Sequence, residues 1–248
     1  MEPKLIIFDC DGVLIDSEII SARMLVAELA PLGVQIDLDY IGAHFLGRSY
    51  PVVMQQIRQE FGVILPVDFE DRYRERLLAA FERDLVVIPH VTPLLATLTA
   101  QGKDWCVATS SSPKRAELSL RIAGLDQLVA GRLYTSSLVA RGKPAPDLFL
   151  HAASARGVAP QDCLVIEDSL NGLRAGRAAG MRVWRFIGGS HLADKALHEP
   201  EDALPERRFT SFHDFAERVA GSAADVAARG NSDDAGLAPA SGAEREGQ

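Results

Sequence analysis

Leu5-Ile6-Ile7-Phe8-Asp9-Cys10-Asp11-Gly12-Val13-Leu14-Ile15-Asp16-Ser17-Glu18 passes from a short apolar run straight into acid. Four consecutive apolar residues fit a strand buried on both faces. Asp9 and Asp11 follow two apart, so extended backbone turns both carboxylates the same way. Gly12 then permits a sharp turn and close approach of a ligand to the backbone. In an α/β sheet the carboxyl ends of the strands form the ligand crevice. Two carboxylates at such a mouth can hold a hard cation, and one of them can attack or shuttle a proton. A plain Asp-Gly turn, with Asp16 or Ser17 capping the next helix, explains the same residues and stays open on this stretch alone.

Three further apolar runs read as strands: Trp105–Ala108, Leu164–Ile166 and Val183–Ile187. Helices with start and stop signals lie between them. Thr92-Pro93 offers a cap and an early proline, with Gly102 as terminator; Ser112-Pro113 opens a second helix ended by Gly124. Pro146 opens a third that closes at Gly157, and Ser169–Ala179 makes a fourth closed by Gly180. This alternation predicts a doubly wound, parallel, Rossmann-like α/β sheet.

One interval is too long. A crossover between parallel strands needs only about 10–12 residues, and the helix near 92–101 already supplies it. The surplus reads as helical: Ile20, Met24 and Ala27 share a face, followed by segments near Val52–Phe61 and Phe69–Phe81. The expected organisation is a discontinuous core from 1–16 and 85–220, with an inserted helical domain at 17–84. From Gly221 to Gln248, Ala, Gly, Ser and Asp dominate; that composition predicts a flexible tail after a final helix near 211–220.

Composition narrows the function classes. An excess of 34 Asp and Glu over 26 Lys and Arg argues against nonspecific nucleic-acid binding. No apolar stretch approaches the ~18 residues of a membrane span, and no secretory signal pattern precedes Leu5. Cys10, Cys106 and Cys163 show no metal or redox spacing, so reduced, mostly buried thiols in a cytoplasmic protein are expected.

Further chemistry-bearing residues fall at the ends of the other strands. Thr109-Ser110-Ser111-Ser112 ends the second strand at a helix N-terminus, a setting that suits phosphate or merely caps the helix. Lys143 stands in Gly142-Lys143-Pro144-Ala145-Pro146-Asp147, where prolines limit the backbone; taken alone it is an exposed lysine on a turn. Glu167-Asp168-Ser169 is a second acidic pair at a strand end, with Asn171-Gly172 just beyond. A carboxylate nucleophile repels a phosphate monoester unless its charge is offset, and a cation plus a lysine supplies that offset. Together the four sites favour phosphoryl chemistry over four unrelated turns.

On these motifs the chain resembles the haloacid dehalogenase superfamily, in particular its beta-phosphoglucomutase-like and sugar-phosphatase branch with a helical cap. The resemblance covers roughly 4–220, insertion included. It implies Asp9 as the nucleophile and Asp11 as general acid and base. It implies Mg2+ held by the Asp9 carboxylate, the Asp11 carbonyl and Asp168, with Glu167 direct or through water. Thr109 and Lys143 would bind the transferred phosphoryl group with help from the Gly12 and Ser110 amides. Glu18, Arg48, Ser49, Ser111 and Asn171 stand as candidates to touch the rest of the substrate. The expected partner is a small phosphorylated sugar, sugar acid or polyol, met by a monomer that binds neither nucleic acid nor membrane.

A phosphomutase is the alternative activity. Against it, Tyr50 in Phe45-Leu46-Gly47-Arg48-Ser49-Tyr50 takes the position where mutases resemble an arginine, and no histidine lies between Ser17 and Gly33. Residues 17–84 contain no lysine, which argues against Schiff-base phosphonate chemistry. Arg72 and Arg76, one turn apart beside Asp71 and Glu75, read as a solvated charged face rather than a substrate site. His44, His90 and His151 need no functional role.

Overall fold

A computed structural model describes residues 2–213 and Phe215. Their strands are β1 (Leu5–Phe8), β2 (Asp104–Thr109), β3 (Leu133–Thr135), β4 (Cys163–Glu167), β5 (Arg182–Phe186) and β6 (Arg207–Phe209). All pair in parallel, in the order β3-β2-β1-β4-β5-β6. The chain fills one side of β1 and then the other, so the sheet has its topological switch beside β1, where α/β sheets open a ligand crevice.

The alternation of side chains sorts each central strand onto two apolar layers. Ile6, Phe8, Trp105, Val107, Leu164 and Ile166 enter one cluster, closed by α5 (Val91–Ala100) and α6 (Pro113–Ile122). Leu5, Ile7, Cys106, Ala108, Cys163 and Val165 enter the other, closed by α8 (Asp147–Ala155) and α9 (Leu170–Ala178). Each fully buried side chain of this size contributes roughly 1.5–3 kcal/mol. A charge at Ile7, completely buried between β2 and β4, would break the layer.

Between β1 and α5 come α1 (Glu18–Leu29), α2 (Leu38–His44), α3 (Tyr50–Phe61) and α4 (Phe69–Asp84). They enclose an apolar cluster of their own, with Leu29, Ile57 and Phe81 fully buried. A short α7 (Asp126–Val129) precedes β3. Arg72 lies 3.5 Å from Asp68, while Arg76 pairs with the largely buried Glu28 of α1. The Arg76 side chain thus ties two helices together rather than only facing water.

Local readings differ from the structure at several points. The helix expected to start at Thr92 starts at Val91, with His90 before it in the left-handed region (φ 69°). Pro93 fits because first-turn N–H groups have no partner within the helix. Ser17 precedes α1 without a side-chain cap; its hydroxyl is used elsewhere, as is the Asp16 carboxylate, which accepts from Ser190 N at 3.1 Å. Strands β3 and β6, three residues each, were absent from the sequence expectation. The helix expected near 211–220 falls almost wholly outside the described residues, and the tail from 221 lies wholly outside them.

Candidate active site

Asp9 leaves β1 with its N–H donating to Ile166 O of β4 (2.9 Å), which carries the sheet's register into the site. Its Oδ1 accepts from Lys143 Nζ at 2.6 Å. The same ammonium donates to Glu167 Oε1 (2.8 Å) and Ala108 O (3.0 Å), and its side chain is 1% exposed. The lysine that reads as a surface turn residue is therefore a buried cation between two acidic strand ends. Burial opposes its charge, but Asp9 and Glu167 outweigh burial and hold its pKa above the ordinary lysine value.

Glu167 is saturated. Beyond Lys143, its Oε2 accepts from Asp168 N, Ser169 N and Ser169 Oγ at 2.8 to 3.0 Å. Burial raises its pKa, but Lys143 and the Ser169 donors outweigh that and keep it low. A Cβ on Gly172 would stand 1.7 Å from Glu167 Oε1, so a side chain on this turn of α9 would force the carboxylate to move. Gly12 is constrained likewise: it has φ +77°, and a Cβ there would meet Asp168 Oδ2 at 2.2 Å. Its amide donates to Ile15 O (2.8 Å) within the turn, in place of the free phosphate donor that the resemblance implies.

Ligand atoms of Asp9, Glu167 and Asp168 lie within 4.8 Å of one another, and all three residues are buried. Burial pushes the Asp9 and Asp168 carboxyls well above their usual range, and the neighbouring acids add to it. Asp168 Oδ2 is buried without a hydrogen-bond partner, with His191 Nε2 2.8 Å away. A crowded set of buried oxygen donors, with Asp168 Oδ2 unpaired, is what a hard divalent cation relieves, so the residues fit Mg2+. Arg185 holds this corner from behind, its Nε donating to Asp168 O (2.9 Å) and its Nη1 to Glu199 Oε1 (2.6 Å).

Asp11 lines the same cavity as Asp9 but has its own set of partners. Its Oδ1 accepts from Ser17 Oγ (2.6 Å) and Arg115 Nη2 (2.9 Å). Its Oδ2 accepts from Ser111 Oγ (2.7 Å), with Arg115 Nη1 at 3.3 Å and Thr109 Oγ1 at 3.4 Å. Burial raises the Asp11 pKa, but Arg115 and the three hydroxyls outweigh it and hold it below the usual range. Arg115, His191 and Arg185 were not singled out in the sequence. Arg115 carried the one usable signal, since it stands a helical turn after Ser111 in a helix that opens at the site.

Asp9, Asp11, Thr109, Ser110, Ser111, Arg115 and Lys143 line an inner cavity of about 110 Å³. Its roof is Phe45, Leu46, Gly47, Arg48 and Tyr50 of the helical insertion. Two hydrogen bonds seat that roof: Ser110 Oγ to Gly47 O (3.0 Å) and Asn171 Nδ2 to Leu46 O (2.8 Å). Glu18 and Arg48 also line an outer cavity of about 710 Å³, which includes Asn171. Burial, with Asp11 and Asp168 adding, pushes the Glu18 carboxyl up to about 8. Ser49 precedes α3 and lines neither cavity.

A family model described as a haloacid dehalogenase-like hydrolase matches residues 3–180. The 6-phosphogluconate phosphatase of Escherichia coli (strain K12) is 29% identical over 189 residues, 76% of this chain and 84% of that one. A solved haloacid dehalogenase-like protein from Agrobacterium tumefaciens str. C58 is 36% identical, with TM-score 0.70 over 89% of this chain and 99% of that one. A haloacid dehalogenase family hydrolase from Deinococcus radiodurans R1, solved with bound phosphate and sodium, is 33% identical at TM-score 0.64 and covers 92% of this chain and 97% of its own. With the parallel sheet, the acid pairs and the lysine at its mouth already in place, the chain belongs to the haloacid dehalogenase-like hydrolases and is a phosphatase.

Proposed function

We propose that the protein is a Mg2+-dependent phosphomonoesterase that works through an aspartyl-phosphate on Asp9, with residues 17–84 acting as its cap. The observation that carries this is Asp9: one oxygen meets Lys143 at 2.6 Å, and the group also belongs to the three-carboxylate cluster. Asp9 and Asp168, with the Asp11 carbonyl, would hold the cation, and Glu167 would act through water. A cation bound there would offset the charge of nucleophile and phosphate.

Asp9 attacks phosphorus while Thr109 and Lys143 hold the phosphoryl oxygens. Asp11 protonates the leaving oxygen and later takes the proton from the water that frees Asp9. Roof loop 45–48 excludes bulk water during the transfer. The substrate is a small phosphorylated sugar, sugar acid or polyol, in keeping with the E. coli phosphatase named above. Three free, buried cysteines support a cytoplasmic setting.

The test is phosphate release from a panel of small phosphomonoesters. Asp9→Asn should lower turnover at least about a thousandfold, and chelator should abolish it until Mg2+ is restored. Near-full activity of Asp9→Asn ends the proposal. Isomerised sugar phosphate in place of free phosphate, after priming with a bisphosphate, would replace it with the mutase.

A further inference from the structure

Arg185 interrupts the pattern of its own strand. Val183 of β5 belongs to the apolar layer closed by α8 and α9. Two residues on, where the pleat returns to the same face, stands an arginine whose side chain is 4% exposed. Charged side chains are almost never so buried unless paired. Its register partner on β4 is Glu167, but the guanidinium reaches past that strand. Nε donates to Asp168 O at 2.9 Å and Nη1 to Glu199 Oε1 at 2.6 Å. Glu199 is itself fully buried, and its other oxygen accepts from Arg208 of β6, which is half-exposed. Burial lowers the Arg185 pKa although Asp168 and Glu167 oppose it, so the surroundings disfavour this charge. A buried ion pair is often no better for stability than well-packed apolar side chains. The strand therefore gains little from it.

What the arginine does reach is the main chain of a cluster acid. Asp168 N donates to Glu167 Oε2 at 2.9 Å, and Asp168 O accepts from Arg185 Nε. Both peptide groups flanking Asp168 are thus held, and its side chain ends in the unpaired Oδ2. We propose that Arg185 is a positioning residue for the divalent cation: it pins the Asp168 carbonyl so that the carboxylate stands ready as a ligand. The inference rests on the cation site of the phosphatase reading and adds to it a residue on β5. Groups that orient a metal ligand from outside typically carry 10- to 100-fold in metal affinity. Charge alone predicts the reverse, because a guanidinium beside the site repels Mg2+ and its removal would tighten binding. The two accounts differ in sign.

The test titrates Mg2+ against the urea midpoint of the full chain, since a ligand of the folded state raises that midpoint with its concentration. Arg185→Met should bind Mg2+ at least about tenfold more weakly than the native protein. Arg185→Lys keeps the charge but not the planar fork that serves Asp168 and Glu199 together, so it should bind at least about threefold more weakly. Turnover of Arg185→Met should fall at limiting Mg2+ and return to within about threefold of native at saturating Mg2+, with KM unchanged.

A further variant separates positioning from folding. Arg185→Met with Glu199→Met removes both buried charges and leaves Arg208 to water. With chelator present its midpoint should match or exceed the native one, while its Mg2+ affinity stays reduced. Unchanged or tighter Mg2+ binding in any of these variants would overturn the proposal. So would a midpoint lost in chelator with the Mg2+ response intact, the mark of a plain staple between β5 and Glu199. A native chain whose midpoint ignores Mg2+ would instead count against the cation site itself.

Discussion

Lys143 stands between Asp9 and Glu167 as the single ammonium that both carboxylates meet, in a position almost closed to water. Removing it leaves two buried acids unpaired. Losing one partner of a buried ion pair costs about 3–5 kcal/mol, because the remaining charge keeps its desolvation penalty. Lys143→Met should therefore lose about that much unfolding free energy in urea with chelator present. Asp9→Asn added to it should restore part of the loss by removing one stranded charge, and a strictly additive double mutant would contradict the pairing. The loop of Lys143, taken alone, reads as an ordinary turn, since nothing within several positions of it is acidic except Asp147; only the set of four strand-end motifs marks the lysine out. Its partners come from strand ends far along the chain.

The central strands were legible because a sheet buried on both faces demands uninterrupted apolar runs, and such runs have few other uses. Edge strands carry no such demand. Arg207 and Arg208 of β6 are exposed, and Leu133 and Tyr134 of β3 are only half-buried, so neither stretch has a pattern distinct from a loop. Helix α9 shows a finer dependence. Ser169 caps it by accepting from Gly172 N at 3.1 Å, and the bare Cα of Gly172 leaves room for the Glu167 carboxylate. Gly172→Ala raises intrinsic helix propensity but forces helix and carboxylate apart. It should destabilise the fold by about 1–3 kcal/mol, the usual cost of overpacking. A rise in melting temperature would mean that propensity wins and the close approach is relaxed cheaply.

At the scale of the molecule, loop 45–48 is one of several places where the helical insertion meets the core; Arg115 of α6 also reaches Ser21 of α1 and the Phe81 ring of α4. Ser110, in the loop after β2, and Asn171, beside the acidic pair, each donate to a backbone carbonyl of loop 45–48. Any opening of this roof would break these bonds, each worth about 0.5–1.5 kcal/mol net. Asn171→Ala should raise KM several-fold and speed amide exchange at residues 46–48, with little effect on exchange in β1 and β4. Exchange accelerated equally throughout would show that Asn171 supports the core rather than the roof loop.

Apolar run length and its alternation with helices already specified a parallel sheet, while the two acid pairs and the surplus between β1 and β2 pointed to a ligand mouth and an added helical segment. These are local features, and hydrophobic periodicity and turn chemistry act over a few residues. Only the folded chain decided how charges share partners: Lys143 between two acids, Asp11 turned to Arg115, His191 and Arg185 backing Asp168. Such pairing depends on angles and distances between loops that are distant in sequence. Charge balance in a buried site is a property of the assembled crevice, and no single loop carries it.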